Sequence, residues 1–73
     1  MYMKLQPTTT ETIVSFNGAD YFIAKNENGW LEVSGPEKFQ FTRDNNYCWQ
    51  FTKEIDADLA INLKVKAIFS RLV

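Results

Sequence analysis

Between Leu59 and Phe69 every odd position is apolar (Leu59, Ile61, Leu63, Val65, Ala67, Phe69), and most of the intervening positions are polar. A period of two sustained this far constrains the chain more than anything else in it, because it fits the buried face of a strand. Loop chemistry upstream extends the idea. With a three-residue loop at Asp44-Asn45-Asn46, Arg43 faces Tyr47, Phe41 faces Trp49 and Phe39 faces Phe51. A second loop at Asp56-Ala57-Asp58 then sets Phe51 against Leu63, Trp49 against Val65 and Tyr47 against Ala67. Aromatics meet aromatics or aliphatics throughout, and a one-residue slip would bring the wrong faces together.

The first half reads as hairpins. Thr12 to Phe16 is a β-branched run ended by Asn17-Gly18, a pair that tolerates the positive φ of a tight turn. A two-residue loop at Asn28-Gly29 would set Lys25 opposite Glu32 and Ala24 opposite Val33, giving Phe22, Ala24, Leu31 and Val33 a common face. Tyr21, Ile23, Lys25, Glu32 and Trp30 then share the other face. Tyr2 to Leu5, stopped by Pro7, allows a short edge strand. Turn signals recur about every ten residues, as in small sandwiches and barrels.

The expectation is therefore a single domain over residues 1–73, all-β, a small antiparallel barrel or sandwich of about six or seven short strands. The alternative is α+β, an antiparallel meander followed by a C-terminal helix at about 54–72. Acids at its start (Glu54, Asp56, Asp58) and bases toward its end (Lys64, Lys66, Arg71) suit the helix dipole. Its stripe would be Ile61, Val65, Ile68 and Leu72, with Leu59 and Leu63 on the opposite side.

Most enzyme chemistry lacks its residues. The chain has no histidine, and its three glycines, Gly18, Gly29 and Gly35, sit in separate turns rather than in a phosphate loop. One cysteine, Cys48, excludes an internal disulfide, and without histidine the usual zinc ligand sets are missing. Cys48 reads as a half-buried, unreactive thiol. Glu54, Asp56 and Asp58 lack the glycine and terminal glutamate of a calcium loop and read as a solvated turn or helix start. Neither a cofactor nor a metal is expected. No apolar run is long enough for a membrane span or signal peptide, so the expected location is cytoplasmic.

Binding remains. Net charge is −1, from eight basic and nine acidic residues, so any electrostatic attraction must be local. In the three-strand register, the face opposite the aromatics carries Lys38, Gln40, Thr42, Cys48, Gln50, Thr52, Asn62, Lys64 and Lys66, with three lysines and no acid. Such a face would dock an acidic protein surface, or bind a few phosphates weakly and salt-sensitively. Tyr21 and Trp30, outside the expected core, form an aromatic patch of the kind that anchors interfaces. The expected function is a non-enzymatic protein-protein interaction module, a subunit, accessory factor or inhibitor of a larger protein. Its partner-binding residues would be Lys38, Gln40, Gln50, Lys64, Lys66, Tyr21 and Trp30. The alternative is a single-stranded nucleic-acid or oligosaccharide binder on a small barrel. A homodimer is also expected, because the long strand at 59–69 overhangs its neighbour and could extend a sheet into a second chain.

Overall fold

The computed structural model describes residues 11–73. The expected strand at Tyr2 to Leu5 lies outside them. Five strands, β1 (Glu11–Phe16), β2 (Ala19–Lys25), β3 (Leu31–Ser34), β4 (Phe39–Arg43) and β5 (Trp49–Phe51), form one antiparallel meander in the order β1-β2-β3-β4-β5. Among the described residues a single helix, α1 (Ala57–Phe69), covers one side of it. The sheet is open and does not close into a barrel. This is the α+β alternative, and it replaces the all-β arrangement and the strand at 59–69.

Local chemistry decides in favour of the helix. The Asp56 carboxylate caps it, accepting from the backbone N–H of Asp58 at 2.8 Å and Leu59 at 3.1 Å. The segment expected as a hairpin loop is thus a helix start. At the other end Leu72 N–H donates to Ala67 O (2.9 Å) and Arg71 N–H to Ile68 O (3.1 Å), with Arg71 at φ 59. That is a Schellman ending with arginine in the left-handed position that glycine usually takes.

Leu59, Leu63 and Ala67 are the buried residues of α1. They are four apart, which is close to one helical turn and also twice the strand period. A helix therefore divides the odd-position alternation into two sets about 200° apart, at 100° per residue. One set (59, 63, 67) meets the sheet, and the other (61, 65, 69) is exposed. The stripe expected to face the core, Ile61, Val65 and Ile68, faces outward instead; Leu72, past the helix end, is buried.

The sheet contributes Val14, Tyr21, Ile23, Leu31, Val33, Phe39 and Phe41 to the core, with Trp49, Phe51 and Ile55 packed beside them. Phe41 stacks on Phe51, ring centroids 5.0 Å apart and planes 9° from parallel. The Asn17-Gly18 turn forms as expected, with φ of 51 and 78. Where Gly35 follows β3, a Cβ would lie 2.6 Å from the Asp20 carbonyl oxygen, so only glycine fits that approach.

Two registers differ from expectation. Lys25 pairs with Leu31, Ala24 with Glu32 and Ile23 with Val33, so residues 26–30 form the β2–β3 loop. The shift of one residue reverses β2: Tyr21 and Ile23 point inward, and Phe22, 55% exposed, points out with Ala24. Arg43 pairs with Trp49 and Phe41 with Phe51, so residues 44–48 form the β4–β5 loop. That shift is two residues, which leaves the aromatics on the inner face.

Candidate functional site

The β2–β3 and β4–β5 loops have the same design. In the first, Asn26 Oδ1 accepts from the backbone N–H of Asn28 (2.9 Å) and Trp30 (3.0 Å). Asn26 N–H donates to Trp30 O, and Gly29 N–H donates to Asn26 O. In the second, Asp44 Oδ1 accepts from Asn46 N–H (2.8 Å) and Cys48 N–H (2.9 Å), Asp44 N–H donates to Cys48 O, and Tyr47 N–H donates to Asp44 O. An Asx side chain thus organises each five-residue turn by replacing missing backbone partners. The Cys48 and Asn46 amides hold the Asp44 carboxyl below its ordinary value of 3.8.

One position separates the two loops. The fourth residue is left-handed in both: Gly29 at φ 85 and Tyr47 at φ 63. For an L residue that conformation costs about 1–2 kcal/mol, which glycine avoids. Tyr47 is also 74% exposed, so burial does not offset the cost. Its ring instead meets the Arg43 guanidinium, with Cζ 5.0 Å from the centroid. An exposed cation–π contact contributes about 0.5–1 kcal/mol, so at most it balances the backbone.

Around Tyr47 the inner face of β4 and β5 becomes a cationic and aromatic cluster. Arg43 Cζ is 5.7 Å from the Trp49 ring centroid. From α1, Lys64 Nζ lies 5.9 Å from Trp49 and 5.8 Å from Phe51. The helix aims Lys64 there because Leu63 faces the core and the next residue turns about 100° toward β5. Among the described residues the one ion pair is Lys53–Glu37 at 2.7 Å, so Arg43 and Lys64 engage rings and have no carboxylate partner. Arg43, Tyr47 and Asp44 also line a shallow groove of about 390 Å³ with Lys25 and Thr42. The arrangement offers positive charge on an aromatic base at one end of the sheet.

The residues expected to bind a partner are dispersed. Lys38, Gln40 and Gln50 remain on the outer sheet face, where Lys38 and Gln40 line a groove of about 480 Å³ with Phe22, Glu32 and Thr52. Glu32 lies directly opposite Gln40, so that face carries an acid. Lys64 and Lys66 belong to α1 and are absent from it; Lys64 reaches β5, whereas Lys66 lines a groove beside β1. The three-lysine face is therefore not formed. Tyr21, 6% exposed, is core, and Trp30 is half-buried in the β2–β3 loop, so they make no exposed aromatic patch. Cys48 is exposed rather than half-buried. Asp56 serves as a helix cap, and among the described residues no group of three or more acids, cysteines or histidines could hold a metal.

Of the cluster, Lys64 alone was expected from sequence; Arg43, Tyr47 and Trp49 read as paired strand residues. The signal that could have revealed them is the doubled pattern Asn26-x-Asn28-Gly29 and Asp44-x-Asn46-Tyr47, which places Tyr47 in a turn at the glycine position. The fold and this cluster define an open-faced antiparallel sheet with one covering helix and a cationic aromatic edge. No protein-family model matches the chain, and neither the curated proteins nor the solved structures give a significant match.

Proposed function

We propose that the chain is a non-enzymatic binding module, a subunit, accessory factor or inhibitor of a larger protein, which engages an acidic protein surface through Arg43, Tyr47, Trp49 and Lys64. The observation that carries this reading is Tyr47: a largely exposed aromatic held left-handed where the sister loop has glycine. Backbone strain kept without a gain in burial is a reason to look for function. The surrounding chemistry supports a protein partner with carboxylates. Arg and Tyr are the residue types that dominate interface energetics, and two cations without acidic partners are ready to accept carboxylates. Single-stranded nucleic acid is the competing ligand. It is disfavoured because bases need free aromatic faces, and Arg43 and Lys64 both already lie over Trp49.

The test compares capture from host lysate by the full chain, by Tyr47→Gly and by Arg43→Ala/Lys64→Ala. Tyr47→Gly relieves the backbone, so its fold should be at least as stable and any loss of capture belongs to the side chain. The expected result is a partner that wild type retains, that both variants lose by at least about tenfold, and that high salt releases. Equal capture by all three proteins would remove the site. Quenching of tryptophan fluorescence by a single-stranded oligonucleotide at low salt would favour the nucleic-acid reading instead.

A further inference from the structure

At the opposite edge of the sheet, the side of β1 that is unpaired among the described residues adjoins an exposed apolar face of α1. We infer that this combined surface is the interface of a homodimer in which β1 pairs antiparallel with β1 of a second copy across a two-fold axis.

The helix supplies the first observation. Ile61 is 55% exposed, Val65 44%, Ile68 49% and Phe69 80%. These residues occupy one arc of α1, away from Leu59, Leu63 and Ala67. A helix that is apolar on two opposite faces is covered on both when its protein is in its working state. The exposed parts of these four side chains amount to on the order of 400 Å² of apolar surface. That is about half of the roughly 800 Å² per partner in a standard interface, before the strand backbone and flanking polar groups are added.

The strand supplies the second. Among the described residues β1 is an outermost strand of six residues, Glu11–Phe16, with no proline or lysine to block pairing. The other edge, β5, has three residues and lies beneath Lys64. Between β1 and the helix runs a groove of about 400 Å³ lined by Ile13, Val14, Ser15, Asn62, Val65 and Phe69, together with Lys66. Edge and apolar helix flank are thus one continuous surface.

Geometry selects a second copy as the occupant. Of the strands, β1 comes nearest to α1, so the helix lies over this edge of the sheet. Paired strands are about 4.8 Å apart. Joining two such edges would set the two helices side by side on one joined sheet, where neighbouring helices pack at about 8–10 Å. A lone peptide strand would satisfy β1 and leave the helix face wet. A two-fold copy supplies both a strand and an apolar helix flank, and an isologous contact needs no other complementary surface. This dimer does not depend on the Arg43 cluster, which lies toward the other edge.

Sedimentation of the full chain across a concentration series, with hydrogen exchange of the β1 amides, tests the inference. The expected result is a dimer that forms reversibly and protects β1 amides only where it is populated. Phe69→Asp, at a side chain the monomer leaves exposed, should weaken dimerisation at least about tenfold with the circular dichroism of the monomer unchanged. Val65→Asp should do the same, while Tyr47→Gly should leave dimerisation alone. A chain that stays monomeric at about 0.5 mM overturns the inference, since standard-size interfaces associate well below that, and gives the groove to a foreign strand or to the chain's own first ten residues. A dimer indifferent to both aspartate variants, or one that leaves β1 amides unprotected, overturns it as well.

Discussion

Leu63→Ala and Ile61→Ala, compared as a pair, test the placement of the helix directly. In a strand the two residues would share a face and lose similar stability. In α1 they lie about 200° apart, with Leu63 0% exposed and Ile61 55% exposed. Truncating Leu63 removes buried methyl groups and opens a cavity where α1 meets the sheet. The usual range is about 2–5 kcal/mol, and the centre of a single-helix cover should fall near 3–4. Ile61→Ala opens no cavity, loses side-chain surface that is already half wet, and gains a few tenths of a kcal/mol in helix propensity. Its net cost should stay below about 1 kcal/mol. The difference, about 3 kcal/mol, is large beside the roughly 4–11 kcal/mol total for a chain of this length. It corresponds to about 12–24 °C in Tm, at about 4–8 °C per kcal/mol. Urea unfolding followed by tryptophan fluorescence and far-ultraviolet circular dichroism should be run dilute enough to keep the chain monomeric, so that dimer contacts at Ile61 do not enter. Losses equal within about 0.5 kcal/mol would refute the two-faced helix.

Two further substitutions probe backbone and charge. The Asp44 carboxyl lies below its ordinary value in the folded chain, held there first by the Cys48 amide and then by that of Asn46. A depressed folded-state pKa contributes stability that is present above the unfolded value and lost as pH falls through the folded one. Wild type should therefore weaken on acidification below about pH 4. Asp44→Asn keeps the Oδ1 acceptor, as Asn26 does in the sister loop, and should show a flatter stability profile between about pH 2 and 4; an unchanged slope would separate the loop from the acid response. Arg71→Gly, at φ 59 in the helix ending, should raise stability by about 0.5–1 kcal/mol, the left-handed penalty less the extra chain entropy of glycine. A fall in Tm would show that the Arg71 side chain holds the ending in place.

The parity of each loop explains which parts of the fold were legible in the sequence. Asn17-Gly18 supplies two residues tolerant of positive φ, and the β1–β2 register follows from them. At β4–β5 the Asp44 loop is two residues longer than the turn chemistry suggested; an even shift preserves faces, so Phe39, Phe41, Trp49 and Phe51 were correctly grouped. At β2–β3 the Asn26 loop exceeds a two-residue turn by three. An odd shift inverts a strand, so a two-residue turn puts Tyr21 at the surface and Phe22 in the core, the reverse of their places in the structure. In both cases the hidden variable is an Asx side chain that absorbs extra residues into the turn, a local choice that strand alternation does not encode. The helix was obscured differently. A spacing of four serves both periods, and only the Asp56 cap and the charge bias at either end separated them.

The candidate site was least legible because its key residue violates a local preference. Turn chemistry alone would place glycine or asparagine at position 47, and a helix packed on one sheet would carry polar residues at 61, 65 and 69. The isolated monomer would be at least as stable with those replacements: Tyr47 lies in a conformation that disfavours its side chain, and Ile61, Val65 and Phe69 bury too little to matter. Natural sequences depart from local consistency mainly where something other than folding is served. The two departures lie at opposite edges of one five-stranded sheet and on opposite flanks of α1, marked by Lys64 on the β5 side and Phe69 on the β1 side. Dimerisation at β1 would therefore leave both Arg43 clusters exposed, one at each outer end of a joined sheet. A partner presenting repeated acidic segments at that spacing would bind with the avidity of two sites, so Phe69→Asp should weaken capture of such a partner without touching the cluster that contacts it.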